Sequence, residues 1–406
     1  MDPFVIVGGG LAGGNAAATL RTEGFDGPLI MLGNEPGVPF GRPPLSKEYL
    51  RGDGGIDDWL VRPAAWYEEA GVDLRPASPV VELDIAAKQV RLLSGESIAY
   101  AKLLLATGGR PRAVDLPGRD LKGVRHLRTQ ADCDAIKADA RRGARVVIVG
   151  MGFIGAEIAA SLRQIGLEVT VLFPGEVPFA RQFGPEVGAA LRDLHQASGV
   201  RLYPNERVRA FAGDGQVRQV VTDQRAIACE LAVVAVGIDP NVELARAAGL
   251  AVTDGIVVDS SLRSPAPNVF AAGDVANFQH QLFGPLRVEH FNVAERQGRV
   301  AGRSMLRLSA AYDEVQSFWS DQYDEKLEYV GYVRTWDQVV VRGNLEERRF
   351  LAFYLNGSWL HAALGFNRGG DPEFDEQDEM ATARRLIASR KSVDPHMLGD
   401  ESIPLG

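Results

Sequence analysis

The chain has 406 residues, 46% of them hydrophobic and 24% charged, with a formal net charge of −9. That length supports two or three domains with cores of their own, and the acidic balance argues against nucleic acid, whose phosphates reward a basic surface. Two cysteines, Cys133 and Cys229, exclude a disulfide framework and a four-cysteine iron–sulfur cluster built by this chain alone. Six histidines without HExxH or paired helical spacing give no metal site. No apolar run reaches membrane-spanning length, and no charged segment followed by an apolar one precedes the first strand, so a cytoplasmic location is expected.

The first element is a strand. Phe4 to Val7 is a short apolar, β-branched run of the kind buried in a parallel sheet. Gly8-x-Gly10-x-x-Gly13 follows at once, then a helix around Asn15 to Leu20. In such a loop the first glycine allows the turn, the second admits a pyrophosphate to the backbone, and the third packs helix on strand. The phosphates then meet the positive helix N-terminus. Leu29 to Leu32 is the next strand, running into Gly33-Asn34-Glu35. Glu35 stands 22 residues beyond Gly13, where a carboxylate binds ribose hydroxyls. Farther on, Leu103 to Leu105 is an apolar strand ending in the small turn Ala106-Thr107-Gly108-Gly109, and Pro111 to Gly118 reads as a connector.

The construction then repeats. Arg145 to Val149 is a strand, Gly150-x-Gly152-x-x-Gly155 the turn, Phe153 to Ile165 a helix and Val169 to Leu172 the following strand. Phe173 stands where an NAD-binding carboxylate is expected, and no arginine or lysine follows closely for a 2′-phosphate. Glu176 is the acid left to reach the ribose, which gives a lean to NADH over NADPH. Gly237 to Asn241 is a second connector. Asn268 to Ala272 is another strand, whose Gly273-Asp274 is expected to precede a helix, Asp274 either capping it or accepting from a ribityl hydroxyl. Arg296, Arg299, Arg303 and Arg307 recur at helical spacing, as a docking stripe or a salt-bridged face. Beyond Tyr312, Gln338 to Val341 and Phe350 to Leu355 suggest an antiparallel sheet. An acidic stretch, Asp371 to Met380, precedes a helix over Ala381 to Arg390.

Ala106 to Arg112 (ATGGRPR), Ala235 to Asn241 (AVGIDPN) and Ala271 to Asp274 (AAGD), with the two glycine loops, resemble the flavin-dependent pyridine nucleotide–disulfide oxidoreductases. Pro39 to Leu50 (PFGRPPLSKEYL), Phe318 to Leu327 (FWSDQYDEKL) and Met397 to Leu405 (MLGDESIPL) are narrower. They resemble the putidaredoxin reductase-like ferredoxin reductases of cytochrome P450 and Rieske oxygenase systems. The resemblance implies an α/β fold with two Rossmann-like dinucleotide-binding domains, glutathione reductase-like, plus a C-terminal α+β domain. It places FAD on residues 1–112 and 240–315, the nicotinamide nucleotide (NADH or NADPH) on 113–239, and the C-terminal domain on 316–406.

The same resemblance implies a Lys47–Glu157 pair beside the flavin, the lysine favouring electron-rich flavin and the carboxylate holding the lysine. For FAD it nominates Gly8, Gly10, Ala12, Gly13, Asn34, Glu35, Arg42, Val80, Ala106, Thr107, Gly108, Arg128, Gly273 and Asp274, with Phe291 or Trp319 covering the ring. For the nicotinamide nucleotide it nominates Gly150, Gly152, Phe153, Ile154, Gly155, Glu157, Glu176 and Gly237. No CxxC follows the first nucleotide loop, so electrons leave the flavin without a dithiol, and a separate [2Fe–2S] ferredoxin is the implied partner. Val288-Glu289-His290 instead resembles apoptosis-inducing factor, leaving a redox-sensing interaction protein as the alternative, beside a reductase of some small one-electron acceptor.

Overall fold

The computed structural model describes residues 2–405. By internal contact the chain divides into two units. One comprises residues up to Arg42, Ile56–Arg110 and Ile238–Glu314, the other Pro43–Gly55, Pro111–Gly237 and the residues from Val315 on.

The first unit is built on a five-stranded parallel sheet in the order Val269–Ala271, Lys102–Leu105, Phe4–Val7, Leu29–Leu32, Val72–Arg75. Phe4–Val7 is central: Val7 aligns with Leu32 on one side and Leu105 on the other. Val5, Ile6, Leu103, Leu104 and Leu105 are fully buried. Each such side chain contributes about 1.5–3 kcal/mol relative to exposure, which is why continuous apolar runs settle here. The helix Leu11–Thr22 follows the first strand, and the helix Phe291–Met305 packs closely on it: a β-carbon at Gly298 would come within 2.3 Å of the Ala12 carbonyl oxygen.

The second unit repeats the plan. Its parallel sheet runs Arg201–Pro204, Glu168–Phe173, Arg145–Val149, Leu231–Val234, Val124–Arg125, with the helix Phe153–Gln164 after the central strand. Residues from Ser317 on add a five-stranded antiparallel sheet in the order Ser317–Gln322, Glu325–Gly331, Trp359–Phe366, Arg349–Asn356, Gln338–Asn344. The helix Glu379–Ser389 lies against this sheet. Phe153 meets Phe318 edge-on with centroids 4.7 Å apart, and the Tyr354 hydroxyl donates to the Phe183 carbonyl at 3.0 Å. The antiparallel sheet is thus packed on the nucleotide fold of its own unit.

Two features differ from the sequence expectation. Residues 43–55, expected within the first domain, associate with the second unit. The Cys133 thiol donates to the Leu45 carbonyl at 3.2 Å, and the Ser161 hydroxyl to the Ser46 carbonyl at 2.6 Å. Asp274 does not precede a helix. It opens the turn into the strand Ala276–His280, and the next helix starts only at Phe291.

Candidate functional site

The two glycine loops have the same stereochemistry. At Gly8, φ is +133°, and a β-carbon would lie 2.0 Å from the Ala106 carbonyl oxygen on the neighbouring strand's exit. At Gly150, φ is +106°, and the β-carbon would lie 2.2 Å from the Ala235 carbonyl oxygen. Those contacts, with the positive φ, restrict both turns to glycine. The third glycine of each motif faces the first: a β-carbon on Gly13 would sit 2.1 Å from the Gly8 carbonyl oxygen, and one on Gly155 2.2 Å from that of Gly150. The middle glycines differ in kind. A β-carbon at Gly10 or Gly152 would meet nothing within 4 Å.

Both positions therefore face open space, with room for a ligand to approach the backbone. Gly10 and Gly152 are also the N-caps of their helices, with no capping side chain and no acidic residue in the first turn. The amide ends are left for an anion, which is the donor set a dinucleotide pyrophosphate needs.

Around the first loop the nominated residues are variously placed. Ala12 and Ala106 are buried, Asn34 is exposed, and Val80 begins the strand Val80–Asp84. The Thr107 hydroxyl donates to the Asn241 carbonyl at 2.8 Å, while the Asn241 amide donates back to the Thr107 carbonyl, fixing the turn that holds Gly108. Glu35 and Arg42, nominated for ribose and pyrophosphate, are bonded to each other at 2.5 Å. The Gly273 N–H donates to Gln297 Oε1, and Arg287 donates to the Asp274 carbonyl. Phe291 is half-buried and meets Trp59 edge-on at 5.8 Å.

In the second unit, Phe173 is buried, and the exposed Glu176 is the acid nearest to it in that loop. Ile154 is 44% exposed on the first turn of the helix after Gly152. Phe153 is instead committed to an aromatic cluster with Phe179, Phe183 and Phe318. Gly237 carries a positive φ, and its carbonyl accepts from the Arg112 N–H. The Arg128 N–H donates to Asp132, next to the Thr129 capping box of the helix Gln130–Asp139. Trp319 is half-buried in the strand Ser317–Gln322.

Lys47 and Glu157 meet within the second unit. Lys47 Nζ lies 2.8 Å from Glu157 Oε2, with the side chains only 10% and 5% exposed. The turn Pro43–Ser46 and the short helix Glu48–Arg51 present Lys47, while Glu157 projects from the helix Phe153–Gln164. A buried ion pair holds only if its remaining lone pairs are satisfied. Here Ser46 Oγ donates to Glu157 Oε2 at 2.5 Å and Ser320 Oγ to Oε1 at 2.7 Å. Sequence reading did not nominate either serine. Asp321 stands close enough to feel both charges; burial, first, and then Glu157 raise its carboxyl above the ordinary range, against the pull of Lys47.

The two cysteines lie elsewhere in function. Burial pushes the Cys133 and Cys229 thiols up to about 12, so neither supplies a thiolate. Three of the four arginines expected as a stripe are engaged: Arg296 with Glu314, Arg299 with Glu295, and Arg303 with Glu23. Arg307 falls beyond the helix end at Met305. The stripe is a salt-bridged face.

Residues 2–298 match the pyridine nucleotide-disulphide oxidoreductase family model. The chain belongs to this family. Residues 317–406 match a second family model, described as reductase C-terminal. Among curated relatives, the anthranilate 1,2-dioxygenase system ferredoxin–NAD(+) reductase component of Burkholderia cepacia is 40% identical over 409 residues, covering 100% of this chain and 98% of that protein. Among solved structures, the covalent putidaredoxin reductase–putidaredoxin complex superposes with a TM-score of 0.94 at 33% identity, over 100% of this chain and 97% of that one. The ferredoxin reductase for the CYP199A2 system from Rhodopseudomonas palustris gives 0.93 at 35% identity, over 100% and 99%. This pyridine nucleotide-disulphide oxidoreductase thus shares both its nucleotide folds and its C-terminal sheet with ferredoxin reductases. Among its described residues no helix is long and apolar enough to cross a membrane.

Proposed function

We propose that the chain is an FAD-containing NAD(P)H–ferredoxin oxidoreductase that takes a hydride from reduced nicotinamide and delivers single electrons to a [2Fe–2S] ferredoxin serving an oxygenase. The observation that carries this reading is the pair of matching cradles in a chain whose only thiols are buried and unreactive. Bound FAD supplies a ring system that accepts electrons in a pair and releases them singly. The residues assigned to hold FAD are Gly8, Gly10, Ala12 and Gly13 of the first loop, with Glu35, Arg42, Thr107 and Asp274; those for the nicotinamide nucleotide are Gly150, Gly152, Ile154, Gly155 and Glu176.

The chain's own part is binding, charge and exclusion of water. Each helix N-terminus binds one pyrophosphate through free N–H groups. Lys47 contributes a fixed positive charge that favours the electron-rich state of the flavin, and Glu157 fixes where that charge sits. Because both side chains are nearly excluded from solvent, their fields are less screened than on a surface. Buried Phe173 offers neither an acid nor a cation to a ribose, while exposed Glu176 offers hydrogen bonds to hydroxyls and repulsion to a 2′-phosphate, which favours NADH. Two free thiols and no disulfide fit a reducing compartment, and we assign the protein to the cytoplasm.

Anaerobic cytochrome c reduction tests the reading. FAD-loaded protein receives NADH or NADPH, with and without a panel of [2Fe–2S] ferredoxins. Strong stimulation by a ferredoxin, with NADH preferred, is the expected result. No stimulation, with a long-lived reduced flavin–nicotinamide complex, would replace it with the sensor function.

A further inference from the structure

The Glu157 carboxylate is the end point of a longer buried chain of hydrogen bonds. Ser320 Oγ donates to Glu157 Oε1 at 2.7 Å. Gln322 Nε2 donates to Ser320 Oγ at 3.2 Å, and Gln322 Oε1 lies 2.9 Å from His195 Nε2. The other ring nitrogen, His195 Nδ1, lies 3.1 Å from the Tyr323 hydroxyl. Ser320, Gln322 and His195 are all 0% exposed. Such a buried network is stabilising only when every member is satisfied, and here each of them is.

The chain has a direction. An amide oxygen only accepts, so His195 Nε2 must carry the proton, and His195 Nδ1 must accept from the Tyr323 hydroxyl. Burial lowers the imidazole to about 4 and raises the phenol to about 12, which keeps His195 neutral and Tyr323 protonated across the working range. Every donor therefore points toward Glu157: Tyr323 to His195, His195 to Gln322, Gln322 to Ser320, Ser320 to the carboxylate. Hydrogen bonds in series polarise one another, and the last one ends on a negative charge. The amide in the middle makes this an orienting chain and not a proton path.

Two different parts of the sequence build it. His195 lies near the end of the helix Ala180–Ala197, whereas Ser320 and Gln322 are two apart on one strand and so share a face. Along this strand the buried polar Ser320 and Gln322 alternate with half-buried Trp319 and Asp321, which point to the opposite face. A strand face in a core is ordinarily apolar, and here the polar pair serves the acid below it.

From this geometry we infer that Ser320, Gln322, His195 and Tyr323 form a positioning chain that fixes the Glu157 carboxylate and, through it, the Lys47 ammonium for flavin reduction. The inference rests on the assignment of Lys47 and Glu157 to that step. None of the four is a catalytic residue; each acts through the next. Their influence should fall with distance along the chain, from Ser320 through Gln322 to Tyr323.

The test uses the full-length, FAD-loaded protein with Lys47→Ala, Ser320→Ala, Gln322→Met and Tyr323→Phe. Anaerobic stopped-flow reduction by NADH should give a limiting rate roughly 10- to 100-fold lower for Ser320→Ala, since small misplacements at a reacting centre carry losses of that size. Gln322→Met should lose less, Tyr323→Phe least, and the NADH dissociation constant should stay within about two-fold throughout, the pattern of an interaction felt only in the reaction step.

A second readout does not depend on activity. Urea unfolding of Gln322→Met, Glu157→Gln and the double variant should be non-additive by at least about three-fold in the folding constant, although the two side chains do not touch. Additive unfolding, or unchanged reduction rates in both Ser320→Ala and Gln322→Met while Lys47→Ala slows reduction, would overturn the chain. An unchanged rate in Lys47→Ala would instead remove the assignment of the pair, leaving the unfolding cycle to judge the chain. If Gln322→Met does not fold, Tyr323→Phe with Glu157→Gln, again a pair of chain members not bonded to each other, supplies an equivalent cycle.

Discussion

Lys47 and Glu157, one on a loop after the first nucleotide strands and one on the second nucleotide helix, are joined at 2.8 Å in an almost dry setting. Glu157 takes three donors there, from Lys47, Ser46 and Ser320. Removing one member of a buried pair leaves the other charge uncompensated, which costs about 3–5 kcal/mol, whereas replacing both is often close to neutral. Glu157→Gln should therefore be the more destabilised in urea, and Lys47→Met with Glu157→Gln should recover part of the loss. Both proteins should keep their FAD and reduce it slowly with NADH. Equal unfolding midpoints for wild type and Glu157→Gln would show that the pair is not a structural dependency.

Two glycines of the second cradle predict two different phenotypes. Gly152→Ala places a methyl group in open space, so the protein should unfold at the wild-type temperature but bind NADH more weakly, because that space is where the nucleotide meets the backbone. Gly155→Val puts its β-carbon 2.2 Å from a backbone oxygen and must push the helix away from the turn. It should lose both stability and NADH affinity while FAD content stays stoichiometric. Calorimetry, NADH titration and the flavin-to-protein absorbance ratio separate the cases; loss of FAD from either variant would reassign the second cradle.

Much of this was legible because it is local. The run Phe4 to Val7 is a central parallel strand because it is apolar on both faces, and the glycine spacing fixes a turn that closes within six residues of itself. The Phe153 start of the second helix follows from the same spacing. What the sequence concealed depends on contacts distant along the chain. His195 and Gln322 are 127 residues apart, and neither neighbourhood signals the other. Residues 43–55 read as part of the first fold by continuity, yet Cys133 and Ser161 hold them in the second unit. Asp274 carries a residue type suited to helix capping, but the backbone beyond it enters a hairpin.

The arginines of the helix Phe291–Met305 bear on partner choice. Periodicity put them on one stripe, but a charge matched by a nearby acid contributes little to long-range attraction. Arg299→Ala and Arg303→Ala should therefore leave the KM for ferredoxin within about two-fold and its salt dependence unchanged. A several-fold rise in KM at low salt, lost at high salt, would return the stripe to a docking role.

Two buried groups of opposite sign should contribute to the pH dependence of stability. His195 is lowered to about 4 from an ordinary 6.5, chiefly by burial. Between these values the unfolded chain takes up a proton that the folded one refuses, so the stability His195 confers is complete above about 6.5 and is lost as pH falls toward 4. Glu328 behaves in reverse. Burial, first, raises its carboxyl from 4.5 to about 7, so the folded state keeps a proton that the unfolded one releases, and this contribution is complete below about 4.5 and fades as pH rises through 7. Each term amounts to at most about 3 kcal/mol. In urea unfolding across this range, His195→Gln should weaken the loss of stability on the acid side. Glu328→Gln, which cannot ionise, should remove the decline that Glu328 causes toward neutral pH, making the variant's stability rise more steeply with pH than that of the wild type. Parallel pH profiles for wild type and either variant would mean that the group titrates alike in the folded and unfolded chain.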